Sequence, residues 1–353
     1  MTALADRLRR LIATAGPITV ADYMAACLFD PDHGYYTTKE PFGISGDFTT
    51  APEISQMFGE LLAASVYQAW VAAGRPAPVT LTEIGPGRGT LMVDMLRTLD
   101  RIDPAFIVLA RIALIEASPR LTDIQQRRLA TGGRAKPRWF TELAQVPRGP
   151  LLVVANELFD AVPTRQFVNT PAGWRERMVT LDEQGNLAFA VGTAGADPAL
   201  LPAGADAQPQ GAMVEISPAR EAMMQTISER IAADGGHGLL IDYGYTVPPF
   251  GDTLQALRRH EFDGALAHPG EADLTTHVDF AALARVASAA GLEATILTQG
   301  EFLLKAGLLE RAGALGAGKD AATQARLSAE VERLAGPDAM GTLFKVLRIK
   351  RPE

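Results

Sequence analysis

Apolar and amphipathic segments alternate along most of the chain after residue 75. Short apolar runs typical of buried strands are separated by segments whose apolar residues recur at helical spacing. The predicted helices include "TLMVDMLRTL", "LTDIQQRRLA" and "VDFAALARVASAAG". The predicted strands are "VTLTEIG" (79–85), "FIVLARIALIEAS" (106–118), "RWFTEL" (138–143), "PLLVVANELFD" (150–160), "GHGLLIDYG" (236–244), "LEATILTQ" (292–299) and "GTLFKVLRIK" (341–350). This alternation indicates an α/β fold, a doubly wound parallel sheet covered by helices on both faces.

Two stretches interrupt the alternation. Residues 169–215 contain "WRERMVTLDEQGNLAFAV", which predicts a small strand pair, and a Gly-, Ala- and Pro-rich segment, which predicts a mobile loop. Residues 245–276 form a second long connection, and such connections are often functional. We therefore predict a mostly helical N-terminal region with a pocket-covering loop (1–75), and a sheet domain (76–353) that carries both insertions.

Composition and charge narrow the class of protein. Of 353 residues, 47% are apolar, which is enough for a sizeable core, and no apolar run approaches the ~20 residues that span a bilayer. The net charge of −8 argues against a nucleic-acid partner. The single Cys27 excludes an internal disulfide framework, and the five scattered histidines predict no metal site. We interpret the N-terminus as an ordinary first helix rather than a transit peptide, and expect a bacterial cytoplasmic protein.

The stretch "LTEIGPGRGTL" (81–91) places three glycines between a predicted strand and a predicted helix. Such a turn presents backbone N–H groups and the positive end of the helix dipole at the carboxyl edge of the sheet. Gly85 permits the tight turn, Gly87 lets a ligand approach the backbone, and Gly89 permits close packing of helix and strand. The alternative is a glycine-rich turn that binds nothing.

Residues near these glycines indicate the ligand. Thr90 stands where the dinucleotide fingerprint has Gly or Ala, which disfavours an NAD-dependent oxidoreductase. The turn also lacks the Gly-Lys-[Ser/Thr] ending of a nucleoside triphosphate P-loop, which excludes that class. The Glu83 carboxylate is suited to bind a cationic amino group of a ligand. The alternative is that Glu83 interacts only with the helix dipole or with solvent. Glu116, at the end of the second predicted strand, suits ribose hydroxyls, its alternative being a surface charge or a cap. Together these residues suit a ligand with a ribose, an amino-acid end and no pyrophosphate. S-adenosylmethionine fits that description and is the predicted cofactor.

Five motifs in order carry a family resemblance: "HGYY" (33–36), "GDFTTAPEISQMFGE" (46–60), "EIGPGRGTL" (83–91), "ANELFDAVPTRQF" (155–167) and "EADLTTHVDF" (271–280). With them, nearly the whole chain resembles the MidA-like family, also called the complex I assembly factor 7 family. The resemblance implies a class I methyltransferase with an inserted segment, whose sheet is mostly parallel with an antiparallel last strand. It implies S-adenosylmethionine binding through Gly85, Gly87 and Gly89, with Glu83 beside them and Glu116 as the ribose acid.

For mitochondrial members, the resemblance further implies symmetric dimethylation of an arginine on a subunit of respiratory complex I, near the quinone site. A protein substrate and a role in complex I assembly are therefore expected here. The compartment becomes the mitochondrial matrix if the chain is eukaryotic. The identity of the substrate transfers less directly than the cofactor, because bacterial members need not share it.

Asn156 and Glu157 follow the fourth predicted strand, which a doubly wound sheet places beside the first strand at the switch point. In the class I methyltransferase fold that position faces the transferring methyl group. We therefore predict Asn156 as a cofactor residue, and Glu157 and Asp160 as substrate-side carboxylates. The alternatives are a cap on the following helix for Glu157 and a turn before Pro163 for Asp160.

Arginine methylation gives such carboxylates a physical task. A guanidinium is planar, delocalised and always charged, so its nitrogens are poor nucleophiles. A carboxylate bound to two of its N–H groups draws positive charge away from the attacking nitrogen and orients that nitrogen. Orientation of this kind can supply up to about 7–11 kcal/mol.

Three further residues complete the candidate site. Asp47, in the loop "SGDFTTAPEIS", is a candidate pocket residue. Thr50 and Glu53, around Pro52, have the spacing of a helix capping box, so Glu53 is interpreted as structural. His277 is a candidate catalytic residue, by analogy with a threonine-histidine loop of protein arginine methyltransferases. Its alternative is a capping and packing role at the start of a helix, with Thr275 or Thr276 as the cap.

Three functions remain open from the sequence. The first is a protein arginine methyltransferase acting on a respiratory-complex subunit or another partner. The second is a methyltransferase for a small molecule, and the third is a cofactor-binding assembly chaperone whose catalysis is dispensable.

Overall fold

The computed structural model describes residues 2–39, 49–130 and 134–352. Contacts divide the chain into two compact units. Unit 1 consists of Met1–Phe48, Phe159–Ala222 and Tyr245–Asp279, and unit 2 consists of Thr49–Leu158, Met223–Gly244 and Phe280–Glu353. Each unit is described by itself below.

Helices and strands are numbered along the chain. The helices are α1 (Ala3–Ala15), α2 (Val20–Phe29), α3 (Tyr35–Thr38), α4 (Ala51–Ile54), α5 (Gln56–Ala72), α6 (Thr90–Ile102), α7 (Pro104–Leu109), α8 (Pro119–Leu129), α9 (Pro218–Asp234), α10 (Phe280–Ala289), α11 (Gln299–Lys305), α12 (Leu308–Gly316), α13 (Ala321–Ala335) and α14 (Met340–Leu343). Short 3-10 turns lie at Leu143–Gln145, Pro198–Leu200 and Ala205–Ala207. The strands are β1 (Ile18–Thr19), β2 (Val79–Ile84), β3 (Ala110–Ile115), β4 (Pro137–Phe140), β5 (Leu151–Asn156), β6 (Arg165–Thr170), β7 (Gly173–Leu181), β8 (Leu187–Gly195), β9 (Met213–Ile216), β10 (Gly236–Tyr245), β11 (Gln255–Arg258), β12 (Glu261–Asp263), β13 (Asp273–Thr275), β14 (Val278–Asp279), β15 (Glu293–Thr298) and β16 (Phe344–Lys350).

Unit 2 is built on a sheet with the strand order β4-β3-β2-β5-β10-β16-β15. Strands β4, β3, β2, β5 and β10 pair in parallel, whereas β16 is antiparallel to both of its neighbours. The chain moves outward from β2 through β3 and β4 and then returns to β5 on the other side of β2, which makes the β2–β5 gap a topological switch point. This arrangement confirms the predicted doubly wound sheet with an antiparallel last strand.

Burial explains why the central strands have continuous apolar patterns. Every residue of β2 and β5 is buried, as expected for parallel strands covered on both faces. Helices α5 and α6 pack closely, and a Cβ atom at Gly59 would lie only 2.7 Å from Cβ of Asp94. The predicted boundary after residue 75 falls inside this unit, because α5 contributes Phe58, Leu62 and Trp70 to the same core as the sheet.

One predicted strand is partly wrong. The segment 106–118 begins in helix α7 and becomes the strand β3 only at Ala110. Asp103 caps this helix, since its side chain accepts a hydrogen bond from the backbone of Ala105, and Pro104 occupies the first turn. The last predicted strand likewise starts later, at Phe344, after the short helix α14.

A helical segment, α11–α14, separates β15 from β16, in a stretch for which we predict no element from the sequence. Arg311 of α12 binds the buried carboxylate of Glu60 on α5 through two hydrogen bonds of 2.7 and 2.9 Å. Bidentate geometry of this kind helps to offset the desolvation of the buried carboxylate. The bond therefore attaches this helical segment to the layer of helices on the sheet.

Unit 1 contains an antiparallel sheet with the order β1-β7-β6-β9, in which β8 pairs with β7. The β7–β8 hairpin confirms the predicted strand pair, and its turn runs from Asp182 to Asn186. A three-stranded sheet, β12-β11-β13, occupies the second long connection. Helices α1 and α2 supply much of the apolar core of this unit, including Leu4, Leu8 and Met24.

Across the ranges that the structure describes, no helix combines the length and apolar composition needed to cross a bilayer.

Candidate functional site

The glycine turn lies at the carboxyl end of β2, as predicted. Gly85, Gly87 and Gly89 have φ of 67°, 52° and 78°, in the left-handed region that favours glycine. A Cβ atom at Gly85 would lie 3.0 Å from Cδ1 of Leu158, so space as well as conformation restricts that position. Helix α6 starts at Thr90, directly after Gly89. The three glycines therefore leave alternate positions of this turn without a Cβ atom, directly before the start of a helix.

Glu83 is buried two residues before this turn, with only 3% of its surface exposed. The pKa of the Glu83 carboxyl is raised to about 8, mainly by burial, which a backbone hydrogen bond from Met92 opposes and the charge of nearby Glu116 reinforces. Among the described residues, Glu83 Oε2 has no hydrogen-bond partner. A buried acceptor of this kind is costly unless a ligand supplies the donor.

Glu116 follows β3, at the same edge of the sheet as Gly85. Its Oε1 accepts a hydrogen bond from the backbone N–H of Ser118 at 2.8 Å, and its Oε2 accepts one from Gln125 Nε2 at 3.0 Å. Burial raises the pKa of the Glu116 carboxyl above its usual range. The backbone of Ala117 gives it a third hydrogen bond, and since a carboxylate accepts about four, capacity remains for a hydroxyl donor.

Asn156 ends β5, and Glu157 follows it beside the switch point. Asn156 Nδ2 donates to Glu157 Oε1 at 2.9 Å, and the backbone N–H of Ala51 donates to the same oxygen at 3.3 Å. Glu157 has φ of 50°, a conformation that is rare outside glycine and is concentrated at functional sites. Asn156 Oδ1 is buried and, within the described part of the chain, has no hydrogen-bond partner.

The alternative role considered for Glu157, a cap on the following helix, is wrong, because Arg165–Thr170 is the next element and it is a strand. Glu157 instead accepts from the first residue of α4. The predicted capping box of α4 is also wrong, since the Thr50 side chain makes no cap hydrogen bond. Glu53 accepts a hydrogen bond from the Thr90 hydroxyl and lies 3.7 Å from Arg128 Nη1, which links α4 to the start of α6. Asp47 lies outside the described residues.

Asp160 and His277 belong to unit 1, where Arg220 brings their backbones together. The guanidinium of Arg220 donates to the carbonyl oxygens of Phe159, Asp160, Thr276 and His277 at 2.7–3.1 Å. Arg220 is 5% exposed, and Asp160 is also buried. The structure therefore places these two candidates in one unit and Glu157 in the other.

The predicted cap beside His277 is wrong. Helix α10 begins at Phe280, and Thr276 lies before it in the cluster around Arg220. The Thr276 hydroxyl donates to Thr164 at 3.1 Å and accepts from Arg220. His277 is held through its backbone N–H, which donates to the Thr253 hydroxyl at 2.9 Å.

Arg220→Met is expected to lower the free energy of unfolding by about 3 kcal/mol or more, because several buried carbonyl groups lose their donor at once. Urea unfolding of the full chain measures this change. Arg148→Met is the control, since its guanidinium side chain is 68% exposed in its ion pair with Asp234, and it should cost less than about 0.5 kcal/mol. Equal losses in the two variants would contradict the role of Arg220 in holding this cluster.

Sequence reasoning missed two residues of these clusters. Gln125 is fully buried and binds both Glu116 and the carbonyl of Gly87, at 3.0 and 2.8 Å. One signal was present, because Gln125 lies four residues from both Leu121 and Leu129, on the apolar stripe of its helix. Arg220 gave no comparable signal, since an arginine in the first turn of a helix is usually solvated.

The residues at the edge of the sheet fit the predicted cofactor. S-adenosylmethionine presents three kinds of hydrogen-bond donor: the ammonium group of its amino-acid end, its ribose hydroxyls and the amino group of its adenine. Its sulfonium also carries a positive charge. Glu83 Oε2 and Asn156 Oδ1 are buried acceptors without partners in the described residues, and the Glu116 carboxylate keeps free lone pairs. Donors and acceptors are therefore complementary.

Comparisons with known proteins agree with this geometry. Residues 61–298 match the Methyltransf_28 family, described as a putative S-adenosyl-L-methionine-dependent methyltransferase. The protein arginine methyltransferase NDUFAF7 of Mus musculus is 36% identical over 98% of this chain and 83% of its own length, and that of Homo sapiens is 33% identical over 98% and 82%. Both carry the description mitochondrial.

A solved structure is also similar over nearly the full length. A protein from Burkholderia thailandensis with bound S-adenosyl-homocysteine superposes with a TM-score of 0.87 at 30% identity, covering 99% of this chain and 92% of that one. The match confirms the fold described above. The chain therefore belongs to the family of S-adenosyl-L-methionine-dependent methyltransferases that includes the NDUFAF7 proteins.

Proposed function

We propose that this methyltransferase modifies an arginine side chain of a protein partner. The observation that carries the proposal is the Glu157 carboxylate, which lies at the switch point in a left-handed backbone conformation and is oriented by Asn156 and Ala51. A fixed anion is the group that a guanidinium requires. The names of the similar NDUFAF7 proteins, protein arginine methyltransferases, support the same acceptor.

The cofactor residues are assigned by donor and acceptor chemistry. We infer that Glu83 accepts a hydrogen bond from the ammonium group of the cofactor and that Glu116 accepts hydrogen bonds from its ribose hydroxyls. The side-chain oxygen of Asn156, Oδ1, accepts one from a further donor of the cofactor. Gly85, Gly87 and Gly89 allow it to approach the backbone. Asp47 stays a predicted pocket residue. When bound, S-adenosylmethionine supplies an electrophilic methyl group on a sulfonium.

Glu157 acts on the acceptor. Its carboxylate binds two guanidinium N–H groups, localises positive charge on that side, and orients the third nitrogen for attack. The hydrogen bonds from Asn156 and Ala51 limit rotation of the carboxylate before the substrate arrives. Pre-organisation of this kind lowers the reorganisation cost during the reaction.

Asp160 and His277 are proposed for the later proton transfer. The methylated nitrogen loses a proton during or after transfer, and a carboxylate or an imidazole can accept it. Arg220 fixes the backbone of both residues through the carbonyl groups of Asp160 and His277.

The partner and the compartment are narrower proposals. By family resemblance, the acceptor is a respiratory complex I subunit, and methylation serves assembly of that complex. The compartment is the bacterial cytoplasm, or the mitochondrial matrix if the chain is eukaryotic.

Incubation of the enzyme with methyl-tritiated S-adenosylmethionine and a lysate from cells lacking it tests the acceptor. We expect label in one or a few proteins, and dimethylarginine after acid hydrolysis of those proteins. Label found only in small molecules would contradict the proposal and favour the small-molecule methyltransferase. Label in a protein but on lysine or a carboxyl group would contradict arginine as the acceptor.

A further inference from the structure

Gln125 of α8 makes hydrogen bonds to three separate elements at the cofactor edge, the carboxyl edge of the sheet where the glycine turn and Glu116 lie. Its Nε2 donates to the carbonyl oxygen of Gly87 at 2.8 Å and to Glu116 Oε2 at 3.0 Å. Its Oε1 accepts a hydrogen bond from Trp139 Nε1 at 2.9 Å. The Gln125 side chain thus connects the glycine turn, the acid after β3 and the neighbouring strand β4.

Only one orientation of the amide satisfies all three partners. A carbonyl and a carboxylate oxygen accept hydrogen bonds, whereas an indole N–H only donates. Turning the amide by half a rotation would place Oε1 against Gly87 and Glu116 and its NH₂ group against the indole N–H. Trp139 therefore determines which way the two donors of Gln125 point.

Burial of the Gln125 amide at this position lowers stability relative to an apolar side chain, so its presence indicates a functional role. Gln125 is fully buried and lies between Leu121 and Leu129 on one face of α8, where a leucine would complete the apolar stripe. It also lies against the glycine turn, because a Cβ atom at Gly89 would be 3.5 Å from Gln125 Cγ.

Glu116 depends on this amide for its orientation. The backbone N–H of Ser118 holds Oε1 at 2.8 Å, and Gln125 alone among the described side chains holds Oε2. With both oxygens bound, and with a further hydrogen bond from the backbone of Ala117, the carboxylate plane is fixed, while acceptor capacity remains for a ligand hydroxyl.

We propose that Gln125 is a positioning residue of the cofactor site, which fixes the Glu116 carboxylate and the Gly87 carbonyl for the nucleoside end of the cofactor, with Trp139 orienting its amide. The inference rests on the proposed role of Glu116. It predicts that Gln125 affects the affinity for nucleosides through Glu116, beyond any effect on folding.

Calorimetric titration of the full chain with S-adenosylhomocysteine tests this. Gln125→Leu and Gln125→Glu should weaken binding about tenfold or more, because Glu116 loses its donor and, in the second variant, faces another carboxylate. The matched control is Gln299→Leu. Gln299 is also fully buried, its Nε2 donates to the Leu334 carbonyl at 2.8 Å, and its loss should change affinity by less than about twofold. Where Gln125→Leu does not fold, Trp139→Phe replaces it, with an expected loss of about threefold or more.

A double-mutant cycle shows whether the effect passes through Glu116. In the Glu116→Gln background, Gln125→Leu should weaken binding by a smaller factor than in the wild type. Equal factors in both backgrounds, or unchanged affinity in folded Gln125 and Trp139 variants, would overturn the inference. Failure of the wild type to bind S-adenosylhomocysteine would instead overturn the cofactor assignment, so the two failures are distinguishable.

Discussion

Glu157→Gln is expected to lower the rate of methyl transfer by about a hundredfold or more, with affinity for S-adenosylhomocysteine changed only a few-fold. The glutamine carbonyl oxygen can still accept from Asn156 Nδ2 and from the backbone N–H of Ala51, so the local structure survives. The variant loses the negative charge of the Glu157 carboxylate, which we propose binds the guanidinium of the substrate. Single-turnover kinetics with labelled S-adenosylmethionine and the acceptor identified by labelling measure the rate, and calorimetry measures affinity.

Glu293→Gln is the control for this variant. Glu293 opens β15 and forms an ion pair with Lys350 at 3.2 Å, with half of its side-chain surface exposed. It lies at the amino-terminal edge of the sheet, opposite the glycine turn, and its variant should keep the wild-type rate. Wild-type transfer by Glu157→Gln would refute the role given to Glu157. Lost transfer with intact partner function in cells would favour the assembly chaperone with dispensable catalysis.

Glu83→Gln is expected to lower the affinity for S-adenosylhomocysteine about a hundredfold at pH 8.5 and to abolish most of its pH dependence. In the ligand-free protein, burial raises the Glu83 pKa to about 8, so the group is largely protonated at neutral pH. Binding of an ammonium group favours the carboxylate and releases the proton. Wild-type affinity should therefore rise with pH up to about 8, by at most about tenfold per pH unit. Calorimetric titrations between about pH 6 and pH 9, which bracket this pKa, measure both the affinity and its pH dependence.

The same raised pKa has the opposite consequence for stability without ligand. Because the folded-state pKa of Glu83 lies above its value of about 4.5 in an unfolded chain, the native state binds more protons between these two values. The stability that this group contributes is thus fully present below about pH 4.5 and is lost as the pH rises through about 8. Near pH 9, Glu83→Gln should be more stable than the wild type by up to a few kcal/mol, since a difference of one in pKa between the folded and unfolded states corresponds to about 1.4 kcal/mol. Identical unfolding curves of the two proteins at pH 6 and pH 9 would contradict the buried, protonated carboxyl.

Positions at the cofactor edge were accessible from the sequence because they depend on local patterns and on one topological rule. Gly85, Gly87 and Gly89 mark a strand that turns into a helix, and their positive φ values follow from that turn. Glu83 and Glu116 lie near the carboxyl ends of β2 and β3, and the carboxyl ends of adjacent parallel strands share one edge. The same rule placed Glu157 after β5, beside β2.

Other predictions failed where local signals compete. The apolar run 106–118 has the composition of one long strand, but Asp103 and Pro104 start a helix that ends only at Leu109. Thr50 and Glu53 have the spacing of a capping box, but Glu53 binds Thr90 and Arg128 instead. The first choice depends on a helix start just before the apolar run, and the second on the contacts of Glu53 with residues from distant segments.

The sequence by itself determined the α/β class, the order of the main strands, the glycine turn and the acids that flank it, because each is encoded within about ten neighbouring residues. Only the tertiary structure decided which side chains meet across long separations. The carboxylate of Glu157 accepts from Ala51, 106 positions earlier, and Gln125 reaches back 38 positions to Gly87. Such contacts form because folding buries polar groups that must then find partners, and no local pattern specifies which partner lies within reach.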